Sequence, residues 1–502
     1  MKTATTLAIL WFISLHATAS TLEVGSGYPY NSLEEAAAEA VPGDTILIHA
    51  GTYDGGTFIG NLQGTSDSWI YILTAPGETV IYDGGTNAWQ FTDAAYLEIR
   101  GFIFEHQTGN GLNFDDGGSY DTPAHHLLFA DCQFRNINAT GNNDLLKLSG
   151  LDHFEITNCI FLNGAAGGSG IDMVGCHDGI IKNNSFENLG SNSIQAKGGT
   201  SNIEITRNFF KNGGARAVNL GGSTGLQFFR PIDAPYESAE LKVYSNIFIG
   251  SEAPVAFVGT INTEVVNNTI YLPTKWVLRI LQETVDPDRF PPCGNNTFRN
   301  NIIYLDQRCS IECNIGPNTA PETFTFSNNL WYHVDNANWP GPNLPVNEPD
   351  NIVSQDPLFV NEAQEDFHLE IGSPAIGNGY TVSFPVLDYE GLPYLTPRSI
   401  GAHEGGIVSG VDENGSQLSS KIKVWPNPAN VFLQIELGDL TSEKITATLK
   451  SITGQTIFKK IIYNSSDSKS FTIELENITD GMFILLIEHD GFMVVEKVII
   501  QN

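Results

Sequence analysis

The chain reads as all-β: a right-handed parallel β-helix, a single-stranded solenoid of about ten or more coils with an N-terminal capping helix, followed by a small antiparallel β-sandwich. Three observations predict this. A short asparagine-rich phrase recurs through the middle of the chain, with its closest steps 22 to 28 residues apart. Glycine is abundant at 50 residues and charged residues make up only 16%, a composition that suits strands and turns better than helices. Past residue 420 the repeat gives way to longer alternating segments.

The repeat reads RGFIF, DCQF, NCIF, NNSF, RNFF, SNIF, NNTIY, RNNIIY and SNNLWY. Its register position falls on Gly101, Cys132, Cys159, Asn184, Asn208, Asn246, Asn268, Asn301 and Asn329. The steps are 31, 27, 25, 24, 38, 22, 33 and 28 residues, a solenoid period interrupted by loop insertions. Two positions later stand Ile103, Phe134, Phe161, Phe186, Phe210, Phe248, Ile270, Ile303 and Trp331, which stacking would gather into one interior column. The asparagines should form an amide ladder at a turn, satisfying backbone groups that the bend leaves free.

The beginning of the chain reads as a secretory signal over 1–19. Lys2 is followed by an apolar run over 7–15 that is too short to span a bilayer, and Ala17-Thr18-Ala19 forms a cleavage site before Ser20. No later stretch reaches the roughly 18 apolar residues of a membrane span, so no transmembrane anchor is expected. A formal charge of −32 excludes nucleic acid as a natural partner. It also requires any polyanionic substrate to meet a locally basic site. Segment 32–40 reads as a helix with Ser32 as N-cap and Glu35 at the capping-box position. Such a helix would cover the open edge of the first coil.

The opening VGSG…SLEEA…PGDTI…GTY and the segment DFHLEIGSPAIGNG…RSIGAHE at 366–404 resemble the first and closing coils of right-handed β-helix proteins of the pectate-lyase-like superfamily. The resemblance covers about 20–404. A linker of Gly, Ser and acidic residues follows at 405–420. The segment 421–502, with WPNPA, the turn at Gly454 and GMF…KVI, is similar to the type A C-terminal sorting domain of type IX secretion in Bacteroidetes. That resemblance implies the secretion machinery as a partner, and a chain released from the cell or held on its outer surface.

Aligning the strand before each asparagine gives an outward column of Lys147, Asp172, Gln195 and Asn219, and a second of Ser149, Val174, Lys197 and Gly221. Asp144, Ser169, Asn192 and Arg216 form the leading edge. An insertion at 222–240 brings Phe228, Phe229 and Arg230 beside this face. The next insertion, at 282–296, brings Arg289 and Phe290, with Arg279 on the strand before it. In a chain this acidic, such a gathering of cations suits an acidic extracellular polysaccharide. Lys197 and Arg216 are the candidates for proton transfer, with Arg230 as a carboxylate clamp. Asp172, Gln195, Asn219, Arg279, Phe228 and Phe229 are the candidates for substrate binding. The same cations could equally pair with Asp172 and Asp144 on a solvated sheet.

The AKGGTSNIEITRNFF segment also resembles the lysine-bearing coil of β-helix alginate and chondroitin lyases, which implies Lys197 as catalytic lysine. The family's arginine position falls near Leu220 rather than Arg216, and its Arg-His pair is absent. A polysaccharide lyase is therefore the first reading. A glycoside hydrolase using Asp172 with Asp115, Asp116 or Asp144 and a non-catalytic glycan-binding protein are the alternatives. Asp115-Asp116 reads as an Asp-rich turn, with a weak Ca²⁺ site as the other reading. His125 and His126 open a turn and read as structural. No cofactor is implied with certainty. Cys132 and Cys159, on adjacent rungs, should form either a disulfide or a pair of thiols in place of two asparagines. Cys293 could bridge to Cys309 or Cys313.

Overall fold

The computed structural model describes residues 19–120, 122–405, 407–409, 423–436, 444–451, 456–463, 470–475, 478, 480–489 and 492–501. Residues 1–18 of the signal, most of the linker and the turn at Gly454 lie outside the described residues. Three long parallel sheets of 14, 12 and 10 strands wind around one apolar core. One coil shows the pattern: Leu146–Ser149, Leu151–Thr157 and Ile160–Leu162 each belong to a different sheet. A helix at Leu33–Glu39 precedes the regular coils, capped by Ser32 Oγ accepting from Glu35 N at 3.3 Å, with Leu33 and Ala36 buried.

The asparagine ladder is continuous from Asn184 to Asn329. From Asn208 onward each Oδ1 accepts both the main-chain N–H and the side-chain amide of the coil before, as Asn208 does from Asn184 at 3.0 Å each. Each Nδ2 also donates to a carbonyl one coil back, as Asn208 does to Ile181 O at 2.9 Å. Glu348 ends the run by accepting from Asn329 N and Nδ2 at 3.3 and 2.5 Å. Above the amides, Phe104, Phe134, Phe161, Phe186, Phe210 and Phe248 stack with centroid spacings of 4.6 to 5.3 Å.

Phe104 rather than Ile103 heads that stack, because the first rung lies one residue later than the repeat suggests. Residues immediately before the rungs take the left-handed conformation, including Asn158, Asn183, Asn267 and Asn300 at φ near +55°. Gly101, at φ +93°, fills that turn position, so Phe102 occupies the rung. The six cysteines all stand as buried free thiols. Cys132 and Cys159 occupy two rungs as the thiol alternative, donating to Ala130 O and Thr157 O at 3.3 and 3.4 Å. Cys293, Cys309 and Cys313 form no bridge; the Cys309 thiol donates to Ile311 O at 3.7 Å.

Segment 366–404 does not simply close the last coil. It runs back along the outer face of the 12-stranded sheet, where Phe367, Ala375, Ile400 and Ala402 pack on Ile247, Ile302 and Leu330. Polar contacts hold this strap: Asn267 Nδ2 donates to Ser399 O at 2.9 Å, and Asn300 exchanges hydrogen bonds with Tyr380 at 2.8 and 2.9 Å. Beyond it, sheets of five and three strands enclose a separate core of Leu433, Ile435, Leu449, Ile473, Leu485 and Val498. Ile407–Ser409, assigned to the linker by composition, pairs in parallel with Phe492–Ile500 as part of the five-stranded sheet. Among the described residues no helix is long and apolar enough to cross a membrane.

Candidate active site

The site is built on Leu146–Ser149, Ser169–Val174, Asn192–Lys197 and Arg216–Gly221 of the 10-stranded sheet. Lys147 pairs with Asp172, Asp172 with Gln195 and Gln195 with Asn219, as the alternation of apolar residues requires. Val174 pairs with Lys197, and Ser169, Asn192 and Arg216 form the leading edge. Ile194 and Ala196 are buried inward, which turns Gln195 and Lys197 out. After Lys197 the chain turns through Gly198 and Gly199 at φ +64° and +92°. A Cβ on Gly199 would stand 2.4 Å from Arg230 O, so glycine is required for the insertion to approach.

Two adjoining hollows open over this sheet. One, of about 710 Å³, is lined by Asp115, Asp116, Tyr120, Lys147, Lys197, Phe228 and Arg230 among others. The other, of about 430 Å³, is lined by Gln195, Lys197, Arg216, Asn219, Arg279 and Glu283 among others. Asn142, Lys197 and Ser223 line both, so Lys197 sits where they meet.

The floor is an ion cluster. Asp172 is wholly buried, paired with Lys147 Nζ through Oδ2 and 3.3 Å from Lys197 Nζ through Oδ1. Burial opposes its ionisation, but the two ammonium groups outweigh that and hold its pKa below the ordinary range. Lys147 is likewise disfavoured by burial, yet Asp172 and Asp144 raise its pKa. Asp144 differs: burial, and then the charge of Asp172, push its carboxyl up to about 7. Asp172 thus underlies the groove and serves its lysines. Lys197 also donates to Gln195 Oε1 at 3.3 Å. Arg216 donates to Asn219 Oδ1 at 3.1 Å and pairs with Glu283 at 2.8 Å. Arg279 lies over the Trp276 ring at 4.4 Å and donates to Asn314 at 3.0 Å. Burial and the neighbouring Arg216 charge lower its pKa.

The insertion walls the groove through contacts that reassign two residues. The Arg230 guanidinium is taken up by Asp152, to which it donates from both Nη atoms at 2.7 and 2.9 Å, rather than being free to clamp a substrate. Phe229 is fully buried against Phe290, with the Arg289 guanidinium 4.6 Å from its ring, so only Phe228, 62% exposed, can offer a face to a sugar. Glu237 pins the base of the wall, accepting from Gly198 N and Thr224 N at 2.9 Å each.

Asp115 and Asp116 form a turn, accepting from Gly117 N and Gly118 N at 3.1 and 2.9 Å. His125 and His126 lie within the strand Ala124–Ala130 rather than in a turn, and His126 stacks on Tyr96 at 4.5 Å. Lys147, Tyr120, Asn142, Ser223 and Glu237 also belong to the site region. Lys147 was visible in the outward column, whereas the others come from turns and insertions that carry no periodic signal.

The family described as right handed beta helix region matches residues 80–270, and the family described as secretion system C-terminal sorting domain matches 423–501. No curated protein sequence matches the chain significantly. Among solved structures it is similar to pectate lyase Pel9A, at 14% identity and TM-score 0.49, over 78% of this chain and 97% of that one. It is also similar to the PL6 family alginate lyase AlyGC, at 15% identity and TM-score 0.43 over 73% and 59% of the two chains. XylC in complex with xylose gives 11% identity and TM-score 0.48, over 76% and 98%. The chain is therefore a right-handed β-helix protein with a secretion-system C-terminal sorting domain that directs it out of the cell.

Proposed function

We propose that the β-helix is a polysaccharide lyase that cleaves a uronate-containing extracellular glycan by β-elimination. The observation that carries this is the position of Lys197 between a hollow edged by the aromatic Tyr120 and Phe228 and one holding Arg216 and Arg279. Elimination needs a cation to neutralise the uronate carboxylate and a base to remove the C5 proton. Arg216 and Arg279 are close enough for each other's charge to matter, and a bound carboxylate would relieve that repulsion. They replace Arg230 in the clamp role. Lys197 is the base, acting from its neutral amine. Lys147 and Lys197 share one buried carboxylate, Asp172, while Asp144 is protonated below about 7. The cluster then carries one excess positive charge, and Lys197 is its member at the meeting point of the two hollows.

A hydrolase would need two carboxyl groups facing the glycosidic bond, and Asp172 is buried beneath its lysines. In this reading the C-terminal domain engages the type IX secretion machinery and takes no part in the chemistry. Incubating the full-length protein with alginate, pectate, chondroitin and neutral glycans tests the proposal. Unsaturated uronate ends from an acidic glycan support it. New reducing ends without unsaturation indicate a hydrolase, and binding without cleavage indicates a surface lectin.

A further inference from the structure

The strap over 366–404 gathers a second group of polar side chains, on a different sheet from the groove. His368 stands on the strand Asp366–Leu369, while Glu390 and His403 come from later turns of the strap. One ligand atom from each of His368, Glu390 and His403 lies within 4.8 Å of the others.

The individual contacts are those of a ligand set. His403 is 4% exposed, and its Nδ1 has no hydrogen-bond partner. A buried imidazole nitrogen left alone is costly unless something occupies its lone pair or takes its proton. Asp366 Oδ1 lies 2.6 Å from His368 Nδ1, the carboxylate–imidazole contact that orients a metal-bound histidine. The other nitrogen of that ring, Nε2, is 3.1 Å from Glu390. A hollow of about 270 Å³ lies against the cluster, bordered by Phe209, Ile247 and Tyr389, and leaves room for a further ligand.

A second group, Asp83, Glu105 and His106, is similarly close, but all its members are only partly buried. It lacks the orphaned interior nitrogen that distinguishes the strap.

We propose that His368, Glu390 and His403 bind a divalent transition-metal ion of the zinc class, with Asp366 positioning His368. Two imidazoles and one carboxylate suit zinc, cobalt or nickel and suit calcium poorly. The ion would join three separated stretches of the strap and so hold it as one unit on the flank of the β-helix.

The test uses full-length, untagged protein freed of metal with a chelator. Zinc is titrated calorimetrically, and cobalt is followed by its visible absorption. One ion per chain is expected, with a rise in melting temperature on adding zinc. His368→Ala and Glu390→Gln, both at accessible positions, should each weaken zinc binding by about tenfold or more and remove that rise. His106→Ala should change neither. Circular dichroism of the metal-free variants checks that they fold. Absence of stoichiometric binding, binding undiminished in both variants, or calcium bound as tightly as zinc would overturn the proposal.

Discussion

Asn208 shows what a single ladder residue does. Its Oδ1 accepts from Asn184 N and Nδ2, and its Nδ2 donates to Ile181 O and to Asn246 Oδ1 at 2.9 and 3.1 Å, all in the interior. Asn208→Ala leaves a buried N–H and a buried carbonyl unsatisfied, so it should destabilise the fold by about 3 kcal/mol, measured by denaturant unfolding. Asp144 gives a prediction at the same scale. Its raised pKa means that it ionises as pH rises through about 7, adding one negative charge beside the Lys147–Lys197–Asp172 cluster. Affinity for an anionic glycan should therefore fall across that interval. Asp144→Asn should flatten the profile, and an unchanged profile would remove Asp144 from the account.

The insertion at 222–240 depends on Arg230 and Asp152. Burial works against the Asp152 carboxylate, but His177 and Arg230 more than offset it and lower its pKa from 3.8 to about 2. A depressed carboxylate stabilises the fold above its unfolded pKa and loses that contribution as pH falls through its folded value. The pair should thus contribute about 2 kcal/mol at neutral pH and release it between about 4 and about 2. Hydrogen exchange of the insertion should rise in that window, and Asp152→Asn should show raised exchange already at neutral pH. Such pairing was not legible in the sequence, because Asp152 and Arg230 lie 78 residues apart with no shared period. The columns through Asp172, Gln195 and Asn219 were legible, since alternation fixes which side chains leave the core. The same reasoning slipped at Gly101, where a left-handed turn glycine resembled a rung, and at Phe229, where an insertion buried a ring expected to face solvent.

At the scale of the molecule, the β-helix core and the core of the C-terminal sheets are separate clusters. The asparagine period and the strand alternation beyond residue 420 made this division readable. The return path of the strap was not, because its contacts with Asn267, Asn300 and Ile302 carry no repeat. A chain ending after Gly405 should keep the melting transition of the β-helix and remain inside the cell; unfolding or normal export would contradict the assignment of the tail. The central claim concerns Lys197, and its most direct test is the initial rate of unsaturated uronate formation by wild type and by Lys197→Ala on the same acidic glycan. Lys197→Ala should lose about a hundredfold or more in turnover. It should also stay folded, since Asp172 retains Lys147. Unsaturated product formed at an undiminished rate by the folded Lys197→Ala protein would contradict the account.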